Sequence, residues 1–183
     1  MVQKTSAKES VLDAFERLVI DRGERAATLE AVAVEAGVSK GGLLYHFGAK
    51  KDLVEGLVGR MTSLAEADLE QLTAATDGIV SRFIRSSVVV GTPFDTTYIA
   101  MTRLAQSGLY PEANAALASV EHGWRTLIEE AVGDPAVARL VLLVGDGLYY
   151  NAALFPFDKQ PTPSTELDDV IGAIEELARS RKA

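Results

Sequence analysis

Apolar residues return at three- and four-residue intervals along almost the whole chain, and that period admits helices and little else. Val11, Leu12, Phe15, Leu18 and Val19 form a first stripe, preceded by the capping signal Ser6-x-x-Glu9, and the helix they predict ends near Arg22-Gly23. Thr28 then stands as an N-cap before Leu29, Val32, Ala33 and Ala36, and Gly37 closes this short helix as a left-handed C-cap would. Ser39 caps a third segment reaching about Tyr45. Gly48 precedes a longer pattern of Leu53, Leu57, Met61 and Leu64 that runs to about Leu72.

Farther along, Ile79, Val80, Phe83, Ile84 and Val88 make one face, closed by Gly91-Thr92-Pro93, and Tyr98, Met101, Leu104 and Ala105 make another, closed by Gly108. Pro111 opens a helix carrying Leu117, Val120, Trp124, Leu127, Ile128 and Ala131, and Gly133-Asp134-Pro135 reads as stop, N-cap and first helical position of the next. That next helix, Pro135 to about Leu154, contains Val137, Leu140 to Val144 and Leu148, so it is apolar on more than one face. After a proline-containing connection from Phe155 to Pro163, Ser164 or Thr165 caps a last helix. Glu166, Asp168 and Asp169 stand in its first turn and Arg179, Arg181 and Lys182 in its last, as the helix dipole favours; its buried stripe is Val170, Ile171, Ile174 and Leu177. With no strand-like alternation, repeat or low-complexity tract, the expected fold is all-α, with about nine helices.

A chain of 183 residues with 48% hydrophobic residues folds as one domain or two small ones and is not disordered. Zero cysteine removes disulfides, thiolate metal sites and a cysteine nucleophile, and fits a reducing cytoplasm. The N-terminal segment has no secretory signal pattern, and the longest apolar run, Leu140 to Val144, falls far short of the roughly 20 residues of a membrane span. A cytoplasmic protein with no membrane partner is expected. The net charge is −8, yet residues 1–60 hold nine bases and nine acids, so all the excess negative charge lies behind them. Only the first third suits the neighbourhood of a polyanion.

Two short helices joined by Ala36-Gly37-Val38-Ser39 are the outline of a helix-turn-helix, although any two-helix corner of an all-α core has the same spacing. Residue types favour the first reading. Thr28 and Ser39 place hydroxyls and helix N-termini where phosphates bind, and Lys40, Tyr45, His46, Lys50 and Lys51 gather polar donors within a dozen positions. Leu43, Phe47 and Val38 belong to the core of the three-helix unit. Lys40 and Lys51 have the alternative of solvated surface charge, and His46 that of a structural role at the end of its helix.

From Thr28 to Leu53 the sequence TLEAVAVEAGVSKGGLLYHFGAKKDL resembles the tetracycline-repressor (TetR) family of bacterial transcriptional regulators, whose pattern is AGVSKGTLYYHF followed by an xSK-x-x-L start. The resemblance covers about residues 8–58. It implies a helix-turn-helix DNA-binding domain over residues 1–48 and a helical ligand-binding and dimerisation domain over 49–183. It also implies that the third helix lies in a DNA groove, with Tyr45, His46 and Lys50 on the phosphate backbone. Two departures stand out: Gly42 replaces a common Thr and Leu44 a common Tyr, which shifts direct readout toward Lys40 and Tyr45. The candidate DNA-binding set is Thr28, Ser39, Lys40, Gly41, Gly42, Tyr45, His46, Lys50 and Lys51.

The function so implied is a regulator, most simply a repressor, that leaves a palindromic operator when a small lipophilic molecule binds. Phe83, Tyr98, Met101, Trp124, Tyr149 and Tyr150 supply large apolar and aromatic side chains for that effector, with ordinary core packing as the role of at least half of them. Asp146 is available to a ligand cation or to a neighbouring helix end. The acidic segment has no local basic cluster, which disfavours an anionic ligand. A homodimer built from the last two long helices, with Ile174 and Leu177 near the interface, would read two half-sites. No cofactor or metal is expected. Leu43 and Ser119 stand where a di-iron Glu-x-x-His motif needs carboxylates, and neither a G-x-S-x-G elbow nor a phosphate-cradling glycine loop occurs. The alternatives are a helical small-molecule-binding protein that ignores DNA and a carboxylate-based enzyme.

Overall fold

The computed structural model describes residues 6–154 and 163–182, so the expected connection after Phe155 lies, up to residue 162, outside the described part. Among the described residues there are nine α-helices and no strand: α1 Ala7–Arg22, α2 Leu29–Ala36, α3 Lys40–His46, α4 Lys50–Thr73, α5 Ile79–Ser86, α6 Pro93–Gln106, α7 Pro111–Val132, α8 Pro135–Tyr149 and α9 Ser164–Lys182. A 3₁₀ turn, Glu24–Ala26, follows α1, and a single π turn, Tyr150–Leu154, follows α8. None of the described helices is long and apolar enough to cross a membrane.

Local chemistry sets the boundaries. The Ser6, Thr28 and Ser39 hydroxyls accept the N–H groups of Glu9, Ala31 and Gly42 at 3.2, 3.2 and 3.0 Å, and Asp134 Oδ1 accepts those of Ala136 and Val137 at 2.8 and 2.9 Å. Gly37 ends α2 at φ 66°, a conformation that glycine adopts without steric penalty, while the Val38 N–H donates to the Ala33 carbonyl at 3.0 Å. The last helix begins at Ser164 itself, one position before a serine cap would place it.

The chain divides into two compact units. The first runs up to Leu64 and takes in Pro93–Ser119. Its buried residues include the α1 stripe of Val11, Leu12, Ala14, Phe15, Leu18 and Val19, with Val32, Leu43, Phe47, Leu53, Leu57 and Met61 after it and Ala100, Met101 and Leu104 from α6. A Cβ on Gly56 would fall 2.9 Å from Leu12 Cδ2 and 3.1 Å from Phe47 Cε1, so α4 lies against α1 and the end of α3 more closely than an alanine would allow. One polar cluster crosses this core. Arg60 of α4 pairs with Glu9, Asp13 and Glu16 of α1 at 2.5, 2.8 and 2.9 Å, and Thr97 of α6 donates to the other oxygen of Glu16 at 2.5 Å.

The second unit comprises Ala65–Thr92 and the residues from Val120 onward. Its core joins Leu72, Val80, Phe83, Ile84, Ile128, Val132, Val137, Val141, Leu142, Leu167, Ile171 and Ile174. Here α5 and α8 meet at Gly145, where a Cβ would stand 2.4 Å from Phe83 Cε1.

Candidate nucleic-acid interface and effector region

The inner side of α3 buries Leu43 and Phe47 against the first unit, and the remaining positions, Lys40, Gly41, Gly42, Leu44, Tyr45 and His46, are exposed. Tyr45 is 85% exposed, and its ring meets His46 edge-on at 5.0 Å. Thr28 and Ser39 sit at the two helix starts as expected. Each uses an oxygen lone pair for its cap, which leaves the hydroxyl hydrogen free to donate to a phosphate. Gly41 and Gly42 lie inside a helix where glycine is disfavoured against alanine by about 1 kcal/mol each. Packing gives no reason for either: a Cβ at Gly41 meets nothing within 4 Å, and one at Gly42 meets only the Ser39 hydroxyl at 3.2 Å.

The lysines of this region are each matched to a carboxylate. Lys40 Nζ donates to Glu30 Oε1 at 2.5 Å, which holds the Glu30 carboxyl below its ordinary range. Lys50 Nζ donates to the Glu24 backbone carbonyl at 2.5 Å and to Glu24 Oε1 at 2.6 Å, and the Tyr110 hydroxyl donates to the same oxygen at 2.8 Å. The Lys50 hydrogen bond lowers the Glu24 carboxyl, while burial, with the neighbouring Glu24 charge, pushes the Tyr110 phenol up to about 12. Lys51 is exposed, 3.6 Å from Glu55 one turn on. Sequence reasoning placed the lysines but missed Glu24, Glu30 and Tyr110. Glu30 stands in the first turn of α2 and Lys40 in the first turn of α3, a readable signal once the two helices are placed corner to corner. Glu24 lies in the 3₁₀ turn, which is too short to carry a periodic pattern.

Five of the seven effector candidates belong to the second unit. Phe83 is buried in its core and packs edge-on to Trp124, with ring centroids 5.7 Å apart; the indole N–H donates to Asp68 at 2.7 Å. Asp146 is exposed on α8, and partial desolvation and the charge of Glu121 raise its carboxyl against the opposing attraction of Arg139. Tyr149 is half-buried and Tyr150 exposed at the start of the π turn. Tyr98 and Met101 belong to the first unit, where Met101 is fully buried in the core and Tyr98 stacks on Phe94 at 5.9 Å. A groove of about 320 Å³ in the second unit is lined by Ile79, Val80, Val132, Ile174, Ala178 and neighbouring residues, and none of the seven candidates faces it. On α8 and α9, Leu140, Leu143 and Leu177 are exposed, as is Tyr150 at the start of the π turn, whereas Ile174 turns into the core of the second unit.

The sequence matches two family models: "Bacterial regulatory proteins, tetR family" over residues 11–57 and "Tetracyclin repressor-like, C-terminal domain" over residues 78–179. It is 29% identical over 170 residues to the HTH-type transcriptional regulator BetI of Klebsiella pneumoniae (strain 342), a match covering 83% of this chain and 86% of that protein. It is 33% identical over 58 residues to the HTH-type transcriptional repressor BepR of Brucella suis biovar 1 (strain 1330), covering 32% of this chain and 28% of BepR. Among solved structures, the multidrug binding protein EbrR complexed with malachite green has a similar fold, with a TM-score of 0.65 at 21% identity over 93% of this chain and 98% of that one.

Proposed function

The chain belongs to the TetR family of bacterial transcriptional regulators, and on that premise we propose that it is a homodimeric repressor, released from a pseudo-palindromic operator by a small lipophilic molecule. The observation that carries the DNA-binding half is α3 itself: a capped helix that buries Leu43 and Phe47 on one side and leaves Lys40, Tyr45 and His46 exposed on the other, with the Thr28 and Ser39 hydroxyls at the helix starts. In this reading Tyr45, His46 and Lys50 position the phosphate backbone, Lys40 stands near bases, and Lys51 adds general attraction. Lys50 reaches a phosphate by exchanging its Glu24 contact for one.

For the effector, Trp124 and Asp146 carry the proposal, an indole and a carboxylate with the like charge of Glu121 near it, in the same unit. A lipophilic cation satisfies both. EbrR, whose fold this chain shares, was crystallised with such a cation, malachite green. Release then follows from population shift, the ligand lowering operator affinity by as much as it prefers the conformer that cannot bind DNA.

A gel shift with the DNA flanking the gene tests the first half. Lys50→Ala should weaken binding to all sequences and lower the salt slope by about 1, and Lys40→Ala should blur base preference as well. Unchanged affinity in both Lys40→Ala and Tyr45→Ala would show that α3 is not the reading helix. For the second half, malachite green and neutral aromatics are titrated while Trp124 fluorescence is followed, then again with Asp146→Asn. Equal dye affinity in the Asn variant removes Asp146 from the site, and a dye that binds without releasing DNA removes the switch. A second reading, a ligand-binding protein silent toward DNA, draws support from the pairing of Lys40 and Lys50 with carboxylates. The gel shift separates the two.

A further inference from the structure

Apart from Tyr45 and His46, the exposed surface of α3 is poor in polar groups free to read base edges. Gly41 and Gly42 carry no side chain, the Nζ of Lys40 is engaged by Glu30 at 2.5 Å, and Leu44 presents an apolar side chain that is 40% exposed. Bases are told apart in the major groove by donors, acceptors and one apolar feature, the C5 methyl group of thymine. We propose that Leu44 is a specificity-determining residue, which selects a thymine in each half-site by contact with its methyl group beside the bare backbone of Gly41.

The inference rests on the reading of α3 as the helix that enters the groove. Leu44 follows Gly41 by three residues and Lys40 by four, so the three share one flank of the helix, beside the buried stripe of Leu43 and Phe47. Neither residue type is required by the core of the first unit. The core beneath α3 is filled by Leu43 and Phe47, and Leu44 lies outside it. Gly41 has ordinary helical backbone and open space where a Cβ would be, so neither conformation nor packing asks for glycine. A partner that comes close to the helix backbone and is apolar at that point accounts for both at once. Against any other base the leucine would cover polar edge groups without pairing them, which is where discrimination arises.

The test starts from random-sequence duplexes enriched on the full-length protein. Each thymine of the enriched sequence is then replaced by 2′-deoxyuridine, which removes the methyl group and nothing else. The expected result is about fourfold weaker binding for one thymine position per half-site, the size of one buried methyl. In Leu44→Ala that replacement should change nothing. Gly41→Ala should raise the unfolding midpoint by roughly 2–4 °C while weakening binding several-fold, a dissociation that a merely structural glycine would not show. An enriched duplex insensitive to uracil at every position, or equally sensitive in Leu44→Ala, overturns the role of Leu44 and leaves DNA binding standing. Gly41→Ala binding as tightly as the parent overturns the close approach. If no sequence enriches, the repressor function falls, and the role of Leu44 with it.

Discussion

Glu16 is 4% exposed, yet it is a carboxylate, held between Arg60 and the Thr97 hydroxyl, with Asp13 on the same guanidinium nitrogen and Glu9 on the other. Burial outweighs the favourable contacts and raises its pKa above the ordinary 4.5. Between 4.5 and the raised value the folded protein keeps a proton that the unfolded chain has released, so stability falls as pH rises through that window and is flat above it. Glu16→Gln lacks this dependence. The stability advantage of the parent over the variant, from urea midpoints, should therefore be largest near pH 4.5 and shrink toward pH 7; an advantage that grows with pH would mean that the pull of Arg60 prevails. Glu30 lends itself to a simpler test. Its carboxylate stands beside Lys40 on the surface proposed to meet DNA, so Glu30→Gln should tighten binding to all duplexes and steepen the salt dependence by about 1 in slope, measured by fluorescence anisotropy. Unchanged slope would place Lys40 away from phosphates and bases alike.

Helix boundaries were the most legible part of the sequence, because a boundary is written in one or two residues. Thr28, Gly37, Ser39 and Asp134 each do locally what their chemistry favours, and the structure finds them at the expected caps. Contacts between elements were not legible. Nothing in the spacing of Glu16, Arg60 and Thr97 announces a shared cluster, and nothing marks Gly145 as the place where α5 and α8 close on each other. For the candidate site the same division holds. The exposed residues of α3 were readable from its motif, whereas the carboxylates that hold Lys40 and Lys50 come from elements placed beside them only by folding. The contact at Gly145 can be tested directly. A methyl group there would stand 2.4 Å from the Phe83 ring and 3.0 Å from the Ser87 hydroxyl, and a buried ring cannot swing away as a flexible chain end can. Gly145→Ala should cost about 1–3 kcal/mol. Because Phe83 packs against the chain's single tryptophan, the same variant should also shift Trp124 emission. Full stability with an unchanged spectrum would show that α5 and α8 sit farther apart than this.

A helix-turn-helix that reads a pseudo-palindrome needs a two-fold partner, and α8 and α9 have the surfaces for one. On α8, Leu140, Leu143 and Gly147 are all exposed, and their spacing of three and four residues draws a seam along one side of the helix, with the exposed Tyr150 following at the start of the π turn. On α9, Val170, Ala173, Leu177 and Ser180 repeat the same spacing on a half-buried to exposed face of mostly small or apolar residues. In the proposed dimer, the two seams of one protomer would meet those of the other in a four-helix interface. The net charge of −8 opposes bringing two copies together, which makes apolar contact the term that must hold them. A single charge in the seam should therefore suffice to break it. Leu143 is 51% exposed and outside the protomer's core, so Leu143→Glu leaves the fold intact while burying a carboxylate in any dimer built on α8. Light scattering at micromolar concentration should give twice the chain mass for the parent and the chain mass for the variant, with unchanged helicity by circular dichroism. Operator binding should fall with it, since each protomer then holds one half-site without its neighbour, and a duplex carrying one half-site should be bound equally by both proteins. A variant that stays dimeric and keeps full operator affinity would move the interface off α8.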